Sequence, residues 1–356
     1  MKKLILGELF SGPGGIAIGA ELANKSITKL TGFQFEHGWA VDYHKETVAT
    51  YRANVEGASE KSALCQDVRN ITAKQLKKIA TIDGFAYGFP CNDFSLVGEH
   101  KGIEGNFGPL YAYGIPILQE FNPRFFIAEN VGGIRSANEG KTLLKILDDL
   151  SNAGKGYVIT PHLYKFEEYG VPQARHRVIM VGLRKDLKLT FKPPAPTHLK
   201  KMKNCKQAIE MPPIKAGAPN HEFTKQNPRV VERLKHIRAG ENAWTANLPA
   251  ELKLNVTGAQ ISQIYKRLDP SKPAYTITGS GGGGTHVYHW TENRALTNRE
   301  RARLQTFPDN FVFEGGKEVV RRQIGMAVPP EGAKILFEAI AKTLAHIQYE
   351  FIEPNH

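Results

Sequence analysis

The chain has 356 residues, 41% of them hydrophobic, with 47 Lys and Arg against 35 Asp and Glu and a formal net charge of +12. That length buries a sizeable core and suits one large domain plus a smaller one, and the basic balance favours a polyanionic partner, because Lys and Arg that neutralise phosphates supply much of the affinity for nucleic acid. Three cysteines at wide spacing, Cys65, Cys91 and Cys205, with no CxxC pair and no His cluster, exclude a disulfide framework and a zinc site, and no apolar run reaches bilayer length.

The start, MKKLILGELF, is basic, but Gly7 and Glu8 interrupt its apolar run and no small-residue cleavage site follows, so no signal peptide is expected. With so few cysteines, the expected location is the reducing cytoplasm, with no membrane and no metal involved. From Leu4 to about Arg184, short apolar runs alternate with helical patterns. Candidate strands are LILGELF, HGWAVDY, IDGFAYGF, RFFIAENV and HRVIMVGL, and the helical stretches ETVATYRANV and TLLKILDDLSNAG lie between them. Strands separated by helix-length segments predict a parallel, doubly wound α/β sheet.

The first strand runs into ELFSGPGGIAIGAEL, where Gly12, Gly14 and Gly15 permit a tight turn and close approach to a ligand at the start of a helix. Such a turn is shared by nucleotide, flavin and adenosylmethionine binders, and the spacing here is neither GxGxxG nor a P-loop. Asp42 closes the next strand, where a carboxylate can accept from ribose hydroxyls, and Asp67 in QDVRN is similarly placed for an adenine amino group; either is equally a loop or N-cap residue. Cys91, in GFPCNDFS, follows a strand at the edge where open α/β sheets bind ligands. The proline before it and the polar, glycine-rich stretch after it make an accessible loop thiol and a candidate nucleophile.

Beyond residue 190 the alternation stops. KPPAPTH and MPPIKAGAPN are proline-rich, and a second domain of irregular structure is expected to begin there. Between Lys185 and Lys266 stand 15 Lys and Arg against 6 Asp and Glu, so this segment carries most of the positive surplus. GSGGGGTH lies between the strand-like AYTIT and VYHW and suits equally a plain flexible linker and a hinge or close backbone approach to a ligand. RALTNRERARLQTF then reads as helical, and AKILFEAIAKTLAHI as an amphipathic helix.

Taken together these segments resemble the DNA (cytosine-5)-methyltransferases of bacterial restriction-modification type. ELFSGPGG is similar to the adenosylmethionine motif, GFPCNDFS to the Pro-Cys nucleophile motif, AENV to the Glu-Asn-Val motif and QARHRV to the Gln-x-Arg-x-Arg motif. RALTNRERARLQTFPD and QIGMAVPP resemble the last two motifs, all in family order. The resemblance implies a Rossmann-like, S-adenosylmethionine-dependent methyltransferase sheet with a second, smaller target-recognition domain. The expected boundaries are 1–190 plus 291–356 for the catalytic and cofactor-binding domain and 191–290 for the small basic one.

The same resemblance implies the chemistry. A Cys91 thiolate would add to carbon 6 of a cytosine flipped out of double-stranded DNA, Glu129 would protonate or hydrogen-bond ring nitrogen 3, and S-adenosylmethionine would donate the methyl group, leaving S-adenosylhomocysteine. Arg175 and Arg177 alternate on QARHRV, so an extended segment would point both to one face, Arg177 at the base and Arg175 in support. Carried over residue by residue, the cofactor site is Phe10, Ser11, Gly12, Gly15, Asp42, Tyr43, Asp67, Pro90 and Leu110, with the 92–109 loop closing over the base. The chain departs from the family at Met326, which stands where the last motif has Asn, and weakened cofactor binding is expected. Transfer-RNA-acting relatives carry Cys-Phe-Thr in the recognition region; His221-Glu222-Phe223-Thr224 lacks that cysteine, so DNA is the expected substrate. A monomer is expected, with a cognate restriction endonuclease acting on the same site as its partner.

Overall fold

The computed structural model describes residues 1–90, 108–255, 261–279 and 283–355. Cys91 and most of the 92–109 loop lie outside the described residues. The chain forms two compact units, one of Met1–Phe166, His176–Thr197 and Val328–His356, the other of Glu167–Arg175 and His198–Ala327.

The described strands are β1 (Lys2–Leu9), β2 (Phe33–Asp42), β3 (Ala63–Cys65), β4 (Gly84–Gly88), β5 (Phe125–Val131), β6 (Tyr157–Lys165) and β7 (His176–Arg184). The described helices are α1 (Gly15–Thr31), α2 (Lys45–Asn54), α3 (Ala73–Lys77), α4 (Gly114–Phe121), α5 (Lys141–Ser151), α6 (Cys205–Glu210), α7 (Pro228–Lys235), α8 (Asn298–Leu304), α9 (Lys317–Met326) and α10 (Pro330–Leu344). None is long and apolar enough to cross a membrane.

In the first unit the seven strands form one sheet in the order β3-β2-β1-β4-β5-β7-β6. The chain steps outward from β1 to β2 and β3, then returns to place β4 on the other side of β1. The switch point of this doubly wound sheet therefore lies between the carboxyl ends of β1 and β4. Strands β1 to β5 are mutually parallel, but β7 is antiparallel to both β5 and β6, which corrects the all-parallel expectation. The physical reason is the connection: a crossover helix, α5, precedes β6, whereas the ten residues from β6 to β7 carry no such helix, and strands joined that way pair antiparallel. The short β3 and the polar-interrupted β6 have no counterpart among the predicted strands.

Apolar side chains cover both faces. Trp39, Phe85, Tyr87, Phe126 and Met180 are buried in one cluster, and α10 brings Phe337 to 4.8 Å from Phe35 and 6.4 Å from Phe125. Helices α1 and α10 meet where Gly19 faces Ala333, and a Cβ on Gly19 would overlap Ala333 Cβ and lie 2.8 Å from Pro330 O. The contact is backbone against backbone and cannot relax by turning a side chain.

The second unit contains little regular structure. AYTIT and VYHW, expected as strands, make only isolated bridges, Gln173 with Ala274, Arg267 with Tyr288 and Tyr288 with Ala295. Buried arginines tie its loops together. Arg267 donates to the carbonyls of His289, Glu292 and Leu234, Arg299 to those of Pro219, Pro308 and Phe311, and Arg303 to those of Ile209 and Pro212. Residues 291–327, expected with the sheet, group with this unit, because Leu296 and Leu304 pack with Cys205, Ile209, Leu268 and Trp290. Only the segment from Val328 onward, which includes α10, belongs to the sheet.

Gly19→Ala is expected to destabilise the protein. Overpacking costs about 1–3 kcal/mol, more than the gain of roughly 1 kcal/mol in helix propensity. A lowered urea midpoint at unchanged slope is the expected result, and a raised midpoint would show that α1 and α10 can separate at no cost.

Candidate active site

The carboxyl edge of the sheet collects the exits of β1, β2, β4 and β5 together with the start of β7. At the β1 exit Phe10 has φ 52°, a left-handed conformation rare for an aromatic residue, and Gly12 and Gly14 follow at φ 56° and 100°. Two bonds clamp this turn onto the end of β2: Ser11 N–H donates to Val41 O at 3.2 Å and Gly12 N–H to Asp42 Oδ2 at 3.0 Å. Gly14 presses on α2, since a Cβ there would lie 2.9 Å from Val55 and 3.2 Å from Tyr51, whereas a Cβ on Gly12 would meet nothing within 4 Å. The turn is closed underneath and open above.

Asp42 also accepts from His44 N–H at 3.1 Å. Burial pushes its carboxyl above the usual carboxylate range, and the N–H groups of His44 and Gly12 pull it back. Beside it the Tyr43 ring is 58% exposed. Asp67 differs: Arg69 engages both its oxygens, Nε at 2.9 and 3.1 Å and Nη2 at 2.5 Å, and holds the carboxyl below its ordinary value. It also caps the short turn at 68–70, the N-cap role left open by the sequence.

Glu129 lies on β5 opposite Gly88 of β4 and Ile179 of β7, and Arg177 of β7 lies opposite Val131. Glu129 and Arg177 are thus diagonal neighbours on one face, and Arg177 Nε bonds Glu129 Oε1 at 2.9 Å, each side chain 13% exposed. The other oxygen, Oε2, lies 3.0 Å from where a Cβ on Gly88 would be. Gly88 therefore makes room for the carboxylate two residues before Pro90, the last described residue ahead of Cys91. Asn130, 1% exposed, points to the opposite face and donates from Nδ2 to Phe89 O at 3.3 Å, tethering the β4 exit. Neither Asn130 nor Gly88 stands among the site residues expected from the sequence; the signal for Asn130 is alternation on β5, which sends it and Glu129 to opposite faces.

Arg175 is not on the strand. It precedes β7, belongs to the second unit, is 1% exposed and donates to Ile277 O at 3.1 Å and Gly325 O at 3.0 Å. Arg175 therefore lies outside the strand that carries Arg177, with buried carbonyls holding its guanidinium. Leu110 is partly buried at the rim of the sheet's apolar cluster. Met326 ends α9 in the second unit, 62% exposed.

Residues 4–342 match the family of C-5 cytosine-specific DNA methylases. The chain belongs to that family. The Type II methyltransferase M.BbvI of Brevibacillus brevis is 58% identical over 350 residues, covering 97% of this chain and 93% of that protein. M.NgoFVII of Neisseria gonorrhoeae is 38% identical over 339 residues, 93% of this chain and 85% of that one. Among solved structures, one described as a prophage-encoded DNA modification methyltransferase of E. coli superposes with a TM-score of 0.73 at 24% identity, over 96% of this chain and 99% of that one. The S. pombe Dnmt2 methyltransferase gives 0.57 at 16% identity over 96% and 98%. Both structural likenesses concern the fold alone.

The carboxyl edge of the sheet rests on a buried polar chain. Tyr51 O–H donates to Glu8 Oε1 at 2.6 Å, Tyr51 Oη lies 3.1 Å from His37 Nδ1, and His37 Nε2 lies 2.9 Å from Ser62 Oγ. Burial lowers the His37 pKa to about 4, so the ring is neutral near pH 7. The Tyr51 proton being spent on Glu8, the hydroxyl accepts from His37 Nδ1–H, and Nε2 accepts from Ser62. Glu8 is 2% exposed, its Oε2 has no partner, and burial raises its pKa to about 7.

Glu8 binds its proton more tightly in the folded than in the unfolded state. Its contribution to stability is therefore complete below about 4.5, the unfolded value, and is lost as the pH rises through about 7. Glu8→Gln keeps the acceptor for Tyr51 and cannot ionise. Its stability is expected to match wild type near the acid end and to exceed it above neutrality by on the order of 3 kcal/mol. Thermal unfolding at a series of pH values checks this, and two curves displaced in parallel would overturn it.

Proposed function

We propose that the chain transfers a methyl group from S-adenosylmethionine to carbon 5 of a cytosine flipped out of a specific double-stranded DNA sequence, through a covalent intermediate on Cys91, as the modification enzyme of a restriction-modification system. The observation that carries the reading is the Glu129–Arg177 pair, 2.9 Å apart, beside the β4 exit that leads into Pro90 and Cys91. The restriction-modification setting is supported by the Type II methyltransferase at 58% identity. A restriction endonuclease acting on the same site is the partner this reading implies.

The β1–β2 corner fits an adenosine-bearing ligand. Gly12 opens onto empty space, Asp42 takes one backbone N–H on each oxygen and keeps a lone pair on each, and Tyr43 offers an exposed ring face. Phe10, Ser11 and Gly15 complete that corner, with Pro90 and Leu110 on the methionine side. Asp67, engaged by Arg69, fits less well and serves the adenine only through its remaining lone pairs. When bound, S-adenosylmethionine supplies an electrophilic methyl group on a sulfonium.

Carbon 5 of cytosine is a poor nucleophile. The Cys91 thiolate adds to carbon 6, the 5,6 double bond opens, and its electron pair moves to carbon 5 and nitrogen 3. Glu129 holds a proton at nitrogen 3 and offsets that charge, while Arg177 fixes the carboxylate and faces the base carbonyl. Once carbon 5 is methylated, loss of its proton re-forms the double bond and expels the thiolate. A base within a duplex is out of reach of this edge, so the nucleotide must leave the stack.

Methyl incorporation from labelled S-adenosylmethionine into mixed-sequence duplex DNA, followed by bisulfite sequencing, is expected to mark cytosines in one short shared context. Cys91→Ser should incorporate none, and Glu129→Gln should lower kcat by about 10²–10⁴-fold. Incorporation by Cys91→Ser at the wild-type rate would sink the covalent mechanism. Met326 removes the amide that the family's last motif carries, so Met326→Asn is expected to bind S-adenosylmethionine more tightly than wild type; equal affinities by calorimetry would overturn that expectation.

A further inference from the structure

Six arginines of the second unit are no more than 9% exposed: Arg175, Arg233, Arg267, Arg299, Arg301 and Arg303. Arg233, on α7, donates from Nε to Leu252 O and lays its guanidinium over the Tyr265 ring. Four of the others spend their terminal N–H groups on backbone carbonyls, and Arg303 adds the Asp309 carboxylate. Arg301 does not. It is 3% exposed, yet its one hydrogen bond runs from Nε to Leu296 O at 3.4 Å, and neither terminal nitrogen has an acceptor among the described residues.

Burial, and after it the charge of Arg321 on α9, pushes the Arg301 pKa down to about 10, while Glu300 acts in the opposite sense. Arg321 Nη1 lies 3.3 Å from His286 Nδ1, Nη2 pairs with Glu318 at 3.2 Å, and Nε is buried with no partner. Glu318 is 84% exposed, a weak counter-ion. Glu300, next to Arg301 in sequence, is held by both terminal nitrogens of Arg294, at 2.7 and 2.8 Å. His286 is pushed down to about 4 by burial and by these two arginines, so near pH 7 it is a neutral acceptor for Arg321 and adds no third charge. Among the described residues, neither guanidinium has a buried carboxylate within hydrogen-bond distance, since Glu300 is taken by Arg294. Arginine stays charged, and a buried charge without a counter-ion is costly.

We propose that Arg301 and Arg321 form a binding site for a phosphate oxyanion, and that a backbone phosphate of the DNA substrate fills it. Planar guanidiniums with unspent N–H groups match phosphate oxygens in charge and geometry. The contact carries no sequence information and fixes the register of the second unit on the duplex. Arg321, its side chain 12% exposed, is the more accessible of the two, and Arg301, 3% exposed, the more buried. This rests on DNA being the substrate.

The test uses the full chain and a labelled mixed-sequence duplex, with affinity measured over a range of salt for wild type, Arg301→Met and Arg321→Gln. Each substitution is expected to reduce the slope of log affinity against log salt by about one and to weaken binding about fivefold at physiological salt. Arg321→Gln, at the more accessible residue, gives the reading even where Arg301→Met fails to fold. Inorganic phosphate supplies the second arm, through thermal unfolding against chloride at matched ionic strength. Phosphate stabilisation of wild type with salt slopes unaltered in the variants would overturn the DNA assignment in favour of a free anion. No stabilisation and unaltered slopes would overturn the site altogether. Methyl transfer measured on the same duplex keeps the two readings apart: wild type that methylates while the slopes coincide loses only this inference, and reduced slopes without methylation lose only the catalytic reading.

Discussion

β7 runs antiparallel along β5 with Arg177 opposite Val131, and that register decides where the first unit's central ion pair forms. Had β7 entered parallel, like β1 to β5, its first residues would lie at the amino edge of the sheet, a strand length away from Glu129. Because it enters reversed, the start of β7 meets the end of β5, and Arg177 and Glu129 face each other at low exposure where their attraction is weakly screened. Gly88 across the other flank leaves space for the second carboxylate oxygen, and Asn130 reaches through the sheet to the Phe89 carbonyl. Three adjacent strands therefore converge on the segment that enters Pro90 and Cys91.

The ligand corner of the sheet depends on a different kind of constraint. A strained Phe10 and two left-handed glycines persist because backbone bonds to Val41 and Asp42 hold the turn from one side and Tyr51 supports it from below. Beneath it the Glu8–Tyr51–His37–Ser62 chain is satisfied at every atom except Glu8 Oε2, and burial keeps that carboxyl neutral below about pH 7.

The second unit solves the problem of irregular backbone with arginine. Loops that make no ladder must still pair their buried carbonyls, and Arg267, Arg299 and Arg303 supply several donors each from one side chain. The basic surplus read from composition therefore has two destinations, and buried arginines that staple loops are not available to a polyanion. Arg301 combines the burial of the first group with the unspent donors of the second.

The sequence by itself determined the parallel part of the sheet, the glycine-rich turn, the end of β2 at Asp42 and the order of the motifs, since each is a local pattern of apolar period, turn residues and spacing. The short β3, the reversal of β7 and the Arg177–Glu129 pair were decided by tertiary structure, because strand direction is set by the connection and by the slot left between β5 and β6, which no periodicity encodes. For the same reason Arg175 and Arg177, two residues apart and alike in pattern, part company: one is captured by the carbonyls of Ile277 and Gly325 and the other by Glu129. Residues 291–327 read as a return to the sheet, yet they pack with Cys205 and Leu268, since which apolar surface a short amphipathic helix covers is a choice among partners distant in sequence.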